Sequence, residues 1–272
     1  MRKIPIALQV YSVRDEAEKD FVGTMTRIKE MGYDGVELAG MYGLSAEFIK
    51  KTLSDIGLVP ISAHVPYDQL VNDLINTVDQ YLTIGCQYIA VPYLVQSDRP
   101  EGGNFGGVVD NIRDIGAYCK EKNIILLYHN HDFEFACMED GRYVLDYLYD
   151  TISKDILQTE IDVCWVKVAG ENPDQYIRKY TGRCPIVHLK DYVGGKTDDM
   201  YQLIGLETKE QKNKVGFEFR ALGDGIQNIP TIMKAAEESG AQWFVVEQDM
   251  HYENSALEDT KRSIDYIRSI IQ

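Results

Sequence analysis

Four of the five histidines in this chain lie at the ends of short apolar runs, and two more such runs end in carboxylates. His64 closes the run Val59–Val65. His129 and His131 follow Ile124–Tyr128 in the segment His129-Asn130-His131-Asp132-Phe133-Glu134, and His188 sits in Pro185–Lys190. Leu157–Val163 carries Glu160 and Asp162, Trp243–Glu247 continues into Gln248-Asp249, and Val36-Glu37-Leu38 holds another glutamate. Imidazoles and carboxylates converging from separate strands make a mixed N/O site for one divalent metal ion, and Mn2+, Mg2+, Zn2+, Co2+ and Fe2+ all suit it. Such an ion beside a carboxylate can drive removal of a proton next to a carbonyl, the ion stabilising the developing charge while a side-chain base takes the proton. Side chains alternate across a strand, so His129 and His131 point the same way, as do Glu160 and Asp162. One member of each pair is expected at the ion and the other behind it or along the pocket.

The elements that must position these groups are legible from the period of the apolar pattern. Ile4–Val10 reads as a first strand, then Asp20 caps a helix with Phe21, Val22, Met25, Ile28 and Met31 at helical spacing. Ser45 opens Ala46–Ile56, Asp68 caps a helix bearing Leu70 through Leu82, Val108–Lys122 and Tyr143–Ile152 supply two more, and Asn172-Pro173 starts another. Ser255 with Glu258 forms a capping box for the last helix. Tyr192–Ile226 is a polar insertion before the helix Pro230–Ser239. Strand–helix alternation means a parallel sheet, and eight such units in 272 residues favour a closed (β/α)8 TIM barrel, a single α/β domain. The chemistry-bearing residues then all fall at the carboxyl ends of the strands, where such barrels place their active sites. No Gly-x-Gly-x-x-Gly follows the first strand, which takes away the main support of the dinucleotide-binding alternative.

Composition narrows the partners. With 28 Lys plus Arg against 43 Asp plus Glu, the net charge is −15, which repels nucleic acid and anionic membrane. No apolar run spans a bilayer and the short basic start reads as strand, so a cytoplasmic protein is expected. The five cysteines have no C-x-x-C spacing and read as reduced thiols. The 18 tyrosines leave many candidates for a homo-oligomer interface.

In their order and spacing, Leu8-Gln9-Val10-Tyr11-Ser12-Val13-Arg14, Gly32-Tyr33-Asp34-Gly35-Val36-Glu37, His129-Asn130-His131, Asp162, His188-Leu189-Lys190-Asp191 and the Glu247 strand resemble the xylose isomerase-like TIM barrels. These are sugar and sugar-phosphate isomerases and epimerases, and the resemblance covers nearly the whole chain. It implies a metal held by Glu, Asp, His and Glu on strands five to eight. Asp162, His188 and Glu247 match the last three, and His129 stands where relatives have glutamate. In family epimerases the strand-five and strand-eight glutamates move the proton on opposite faces of the substrate. Only Glu247 remains here, so Glu134, His131 or Lys190 must supply the second acid or base. The His-rich box is similar to that of inositol-pathway dehydratases, which remove water next to a ketone. The endonuclease branch is disfavoured, because this chain has Asp162-x-x-Trp165 in place of Asp-x-x-His and no histidine in Val91-Pro92-Tyr93.

The expectation is therefore a metal-dependent isomerase or epimerase acting on a small-molecule sugar or sugar phosphate. A dehydratase acting on a keto-sugar or keto-inositol is the alternative, and a non-catalytic sugar-binding barrel the second. His129, Asp162, His188 and Glu247 would bind metal and Glu247 would double as base. Lys190 and His131 would contact substrate oxygens, with Asp191 as the ordinary ion-pair partner of Lys190. Glu37 and His64 would line the floor, and Tyr67, Phe133 and Trp165 would stack on a sugar face. Gly223-Asp224-Gly225 would either receive a phosphate at its amides or form a turn.

Overall fold

The structure, a computed structural model, describes residues 4–197, 200–202 and 216–271. Its strands are β1 (Ile6–Gln9), β2 (Gly35–Ala39), β3 (Val59–His64), β4 (Tyr88–Val91), β5 (Ile125–His129), β6 (Leu157–Asp162), β7 (Ile186–Leu189), β8 (Asp191–Gly194), β9 (Phe217–Arg220) and β10 (Trp243–Val246). All but β8 and β9 close into a parallel barrel, in which β10 pairs with both β7 and β1. The eighth barrel strand is thus β10. β1, β4 and β7 bury every residue, as expected of a parallel sheet covered by helices on its outer face.

Most of the expected start signals are where the helices begin, but Asp68, expected as a cap, lies within the first turn of the helix Tyr67–Asn72, which follows Pro66. The Asp20 side chain accepts from the Gly23 amide (2.9 Å), Ser45 from Phe48 (3.2 Å) and Asn172 from Asp174 (3.2 Å). Both arms of the Ser255–Glu258 box are formed. One helix departs from the sequence reading. The stretch from Leu70 to Leu82 is two helices, Tyr67–Asn72 and Leu74–Ile84, broken at Asp73, whose carboxylate takes the Asn76 side-chain amide at 2.7 Å. A short acid that bonds locally competes with the helix ladder, and the break leaves Val71 and Ile75 exposed.

The insertion after β7 holds the second departure. Within Tyr192–Ile226, residues 198–199 and 203–215 lie outside the described residues, and the rest contains an antiparallel ribbon of β8 and β9 pairing Asp191 with Arg220 and Gly194 with Phe217. Asp191 anchors it by accepting the amides of Tyr192 (2.9 Å), Gly223 (3.1 Å), Gly225 (3.2 Å) and Gln227 (3.0 Å). Gly225 is required here, because a Cβ would fall 2.1 Å from Asp191 Oδ1. The Gly223 and Gly225 amides, one of the readings offered for a phosphate, are therefore filled by the chain's own carboxylate. Asp191→Ala would strand four amides and cost about 3 kcal/mol. Urea unfolding of the variant measures it.

Candidate active site

Strand register assembles the site. Glu37 lies opposite Gln9 on β1, His129 opposite Glu160 on β6, and His188 opposite Asp162 on β6. Glu160 and Asp162 face the barrel interior two residues apart, which separates them by about 6.6 Å along the strand. The interior carboxylates and imidazoles therefore form an upper and a lower tier.

In the upper tier, one ligand atom each from His129, Asp162, His188 and Glu247 lies within 4.8 Å of the others, and all four residues are buried. Asp162 divides its carboxylate between two tasks. Oδ1 caps the helix Val163–Val168 by accepting from Cys164 (2.8 Å) and Trp165 (3.0 Å), and buried Oδ2 makes no hydrogen bond. Asn130 pins the end of β6 by accepting the Asp162 amide at 3.0 Å. Two imidazoles, two carboxylates and a buried carboxylate oxygen left without a hydrogen bond fit a divalent ion of the mixed N/O class.

Lys190 enters the same space. It is 1% exposed, and its Nζ lies 3.2 Å from Asp162 Oδ2, 3.0 Å from Glu247 Oε2 and 2.9 Å from Asp249 Oδ2. Burial works against its charge, but these three carboxylates hold its pKa well above the ordinary lysine range. Asp191, the partner considered from sequence, is turned instead to the backbone amides described above. Glu247 is correspondingly held ionised, since Lys190 and His188 outweigh the burial that opposes its charge.

The lower tier holds Glu37, His64 and Glu160. Burial opposes ionisation of both glutamates. Around Glu37, His64 and His188 prevail and hold the pKa well below the usual carboxylate value; Glu160, repelled by Glu37 as well, is still drawn down to about 2 by His188 and His64. His64 in turn is pushed up to about 10, because Glu37 and Glu160 outweigh its burial. Gln9 Nε2 donates to Glu37 at 2.7 Å.

A cavity of about 310 Å3 opens above this floor, with Tyr11, Ala39, Pro66, Pro92 and Tyr93 along its apolar side. His64, His129, His131, Lys190, Glu247 and Asp249 face it. His131 presents an imidazole that burial and then Lys190 keep neutral, packed between Tyr93 (5.2 Å) and Phe133 (5.8 Å).

Several residues expected at the site stand elsewhere. Tyr67 is outside the cavity lining, its hydroxyl accepting from Asn111 at 2.8 Å. Trp165 is fully buried behind His131 (5.1 Å) and against the ribbon residues Phe217 and Phe219, so it backs the pocket wall and offers no face to a sugar. Phe133 is covered by the Arg99 guanidinium at 3.6 Å. Glu134 is also withdrawn. It is fully buried, accepting from the Tyr128 hydroxyl (2.7 Å) and the His131 amide (2.8 Å), and burial pushes its pKa up to about 8. A carboxyl raised from 4.5 holds its proton more tightly in the fold, so its contribution favours folding below about pH 4.5 and is lost as pH rises through about 8. Glu134→Gln should flatten the decline in stability between those values, as read by chemical unfolding across pH.

Sequence reasoning assigned no role to Tyr11, Tyr93 or Asp249. Asp249 carried a usable signal, because it follows Glu247 by two residues and so shares its side of the chain.

Comparisons with known proteins agree with this architecture. A family model described as xylose isomerase-like TIM barrel matches residues 25–270. Inosose dehydratase of Clostridium perfringens strain 13 is 23% identical over 262 residues, covering 85% of this chain and 84% of that protein. Among solved structures, a sugar phosphate isomerase/epimerase from Parabacteroides distasonis superposes with a TM-score of 0.78 at 20% identity, covering 99% of this chain and 95% of the other. A xylose isomerase-like TIM barrel protein from Mycobacterium smegmatis, solved in complex with magnesium, has a TM-score of 0.68 at 14% identity, with coverage of 99% and 97%.

Proposed function

Because this chain belongs to the xylose isomerase-like TIM barrels, we propose that it is a metal-dependent enzyme that removes a proton next to the carbonyl of a keto-sugar or keto-inositol and completes the reaction by expelling water. The observation that carries this reading is the one-sided placement of carboxylates around the cavity. Glu247 and Asp249 face it from one strand end, and Glu134 is withdrawn into the protein. Among the described residues that line the cavity the only carboxylates are these two, so a two-base epimerase would have to use His131 or Lys190 as its second base. Elimination needs one base and one acid on the leaving oxygen, and Glu247 beside protonated Lys190 supplies both.

His129, Asp162, His188 and Glu247 would hold the metal. A divalent ion bound there supplies Lewis-acid polarisation of substrate oxygens, a contribution of several kcal/mol. Glu247 takes the carbon-bound proton. Lys190 gives a proton to the departing hydroxyl, so that the carbon–oxygen bond breaks with loss of neutral water and the electron pair left by the first proton forms the new double bond. Asp249 keeps the Lys190 ammonium directed at this point, and neutral His131 orients a substrate hydroxyl. The apolar side suits the C–H face of a ring.

The relatives named inosose dehydratase support elimination. The structural neighbour named sugar phosphate isomerase/epimerase favours the second reading, in which the same deprotonation ends in proton return. Incubation of the Mn2+-loaded protein with keto-inositols and ketoses in D2O separates them. A dehydrated product is expected. Deuterium in recovered or isomeric sugar without dehydration establishes the isomerase or epimerase, and neither outcome across the panel leaves only a non-catalytic sugar-binding barrel.

A further inference from the structure

The lower tier takes no part in the chemistry above, yet its contacts converge on the rear nitrogens of two upper-tier imidazoles. His129 turns Nε2 toward Asp162 (3.7 Å) and Glu247 (4.0 Å), and its Nδ1 meets Glu160 Oε1 at 3.1 Å. His188 turns Nδ1 to Glu247 Oε2 (2.9 Å), while its Nε2 lies between Glu37 Oε1 (2.8 Å) and Glu160 Oε1 (3.1 Å) without pointing straight at either. A neutral imidazole has one N–H and one lone pair, and an ionised carboxylate only accepts. For His129 the opposite tautomer would set a lone pair against a buried anionic oxygen. His188 has anionic oxygens at both nitrogens, so an ion held by the upper tier would take the place of the proton at Nδ1 and leave the one at Nε2 between Glu37 and Glu160.

We infer that Glu160 and Glu37 are positioning residues that, with an ion in the upper tier, fix His129 as its Nδ1–H tautomer and His188 as its Nε2–H tautomer, so that both lone pairs face that ion. The inference rests on the metal reading above. His64 makes the arrangement tolerable. Its Nε2 lies 2.6 Å from Glu160 Oε1 and 3.1 Å from Glu37 Oε1, placing one shared donor between two fully buried carboxylates. Gln9 gives Glu37 a second donor, which leaves the carboxylate oriented before any ion arrives. Glu160 is suited to this by the strand itself, since it shares a face with Asp162 one pleat deeper and lies opposite His129. Carboxylates behind ligating histidines typically matter about 10–100-fold in metal affinity.

The test uses Mn2+ alone for affinity and Zn2+ alone for spectroscopy on 15N-histidine-labelled protein. Calorimetry should give one ion per chain. Long-range 1H–15N spectra of the Zn2+ form should show His129 protonated at Nδ1 and His188 at Nε2. Glu160→Gln should weaken Mn2+ binding about 10–100-fold and mix the His129 tautomers. Glu37→Gln should do the same for His188, and carries the test if the first variant does not fold. Wild-type affinity and wild-type tautomers in a folded variant would overturn the positioning role alone. Two ions per chain would also overturn it, by making the lower tier a ligand set of its own. A wild-type protein that binds no divalent ion would remove the metal reading and this inference together.

Discussion

Glu247→Gln is expected to lower turnover by at least about 10³-fold with little change in the fold, within the range that a positioned general base contributes. The substitution keeps size and shape but removes the one carboxylate among the described residues that touches His188, Lys190 and the cavity together. It should also weaken binding of a divalent ion, because glutamine replaces one of two anions in the proposed ligand set. Deuterium incorporation from D2O separates these effects. At saturating Mn2+, loss of exchange at the carbon next to the carbonyl identifies Glu247 as the base, and turnover within tenfold of wild type would remove it from the mechanism.

Lys190→Met should have the largest effect on stability. The ammonium is the shared counter-ion of Asp162, Glu247 and Asp249, all buried, and methionine would leave three carboxylates crowded together. Breaking a buried pair by removing one partner costs about 3–5 kcal/mol. For a protein of this size that lowers the melting temperature by on the order of 10 °C. If the upper tier binds a divalent ion, Mn2+ should raise the melting temperature of the variant more than that of wild type, because the ion then supplies the missing positive charge. Equal shifts in the two proteins would show that Lys190 and the ion do not answer to the same carboxylates. The variant should also lose dehydration even when Mn2+ restores its stability, since the ammonium that would protonate the leaving oxygen is gone.

Both predictions turn on what a linear reading can and cannot reach. The caps at Asp20, Ser45, Asn172 and Ser255 and the barrel strands were legible because each depends on neighbours within a few residues. The gathering of His64, His129, Asp162, His188 and Glu247 was legible for a related reason. Alternation along each strand and the polarity of the barrel bring the carboxyl ends of parallel strands to one face, whatever the loops do. The fate of individual side chains was not local. Glu134 sits in a polar box like its neighbours, but a turn after β5 folds it back onto Tyr128 and the His131 amide. Lys190 precedes Asp191, but the two side chains point to opposite sides of the chain, one into the barrel and the other into the glycine loop of the insertion.

The amino-acid order by itself determined a closed (β/α)8 barrel with histidines and carboxylates at one end of it, because periodicity and capping are short-range properties of the backbone. Only the tertiary structure decided which of those groups meet. Strand register set Glu160 a tier below Asp162, and long-range packing chose a charge partner for each buried group. Where water is excluded, a charge must find compensation from whichever partner the fold brings within about 3 Å, and sequence distance has no part in that choice.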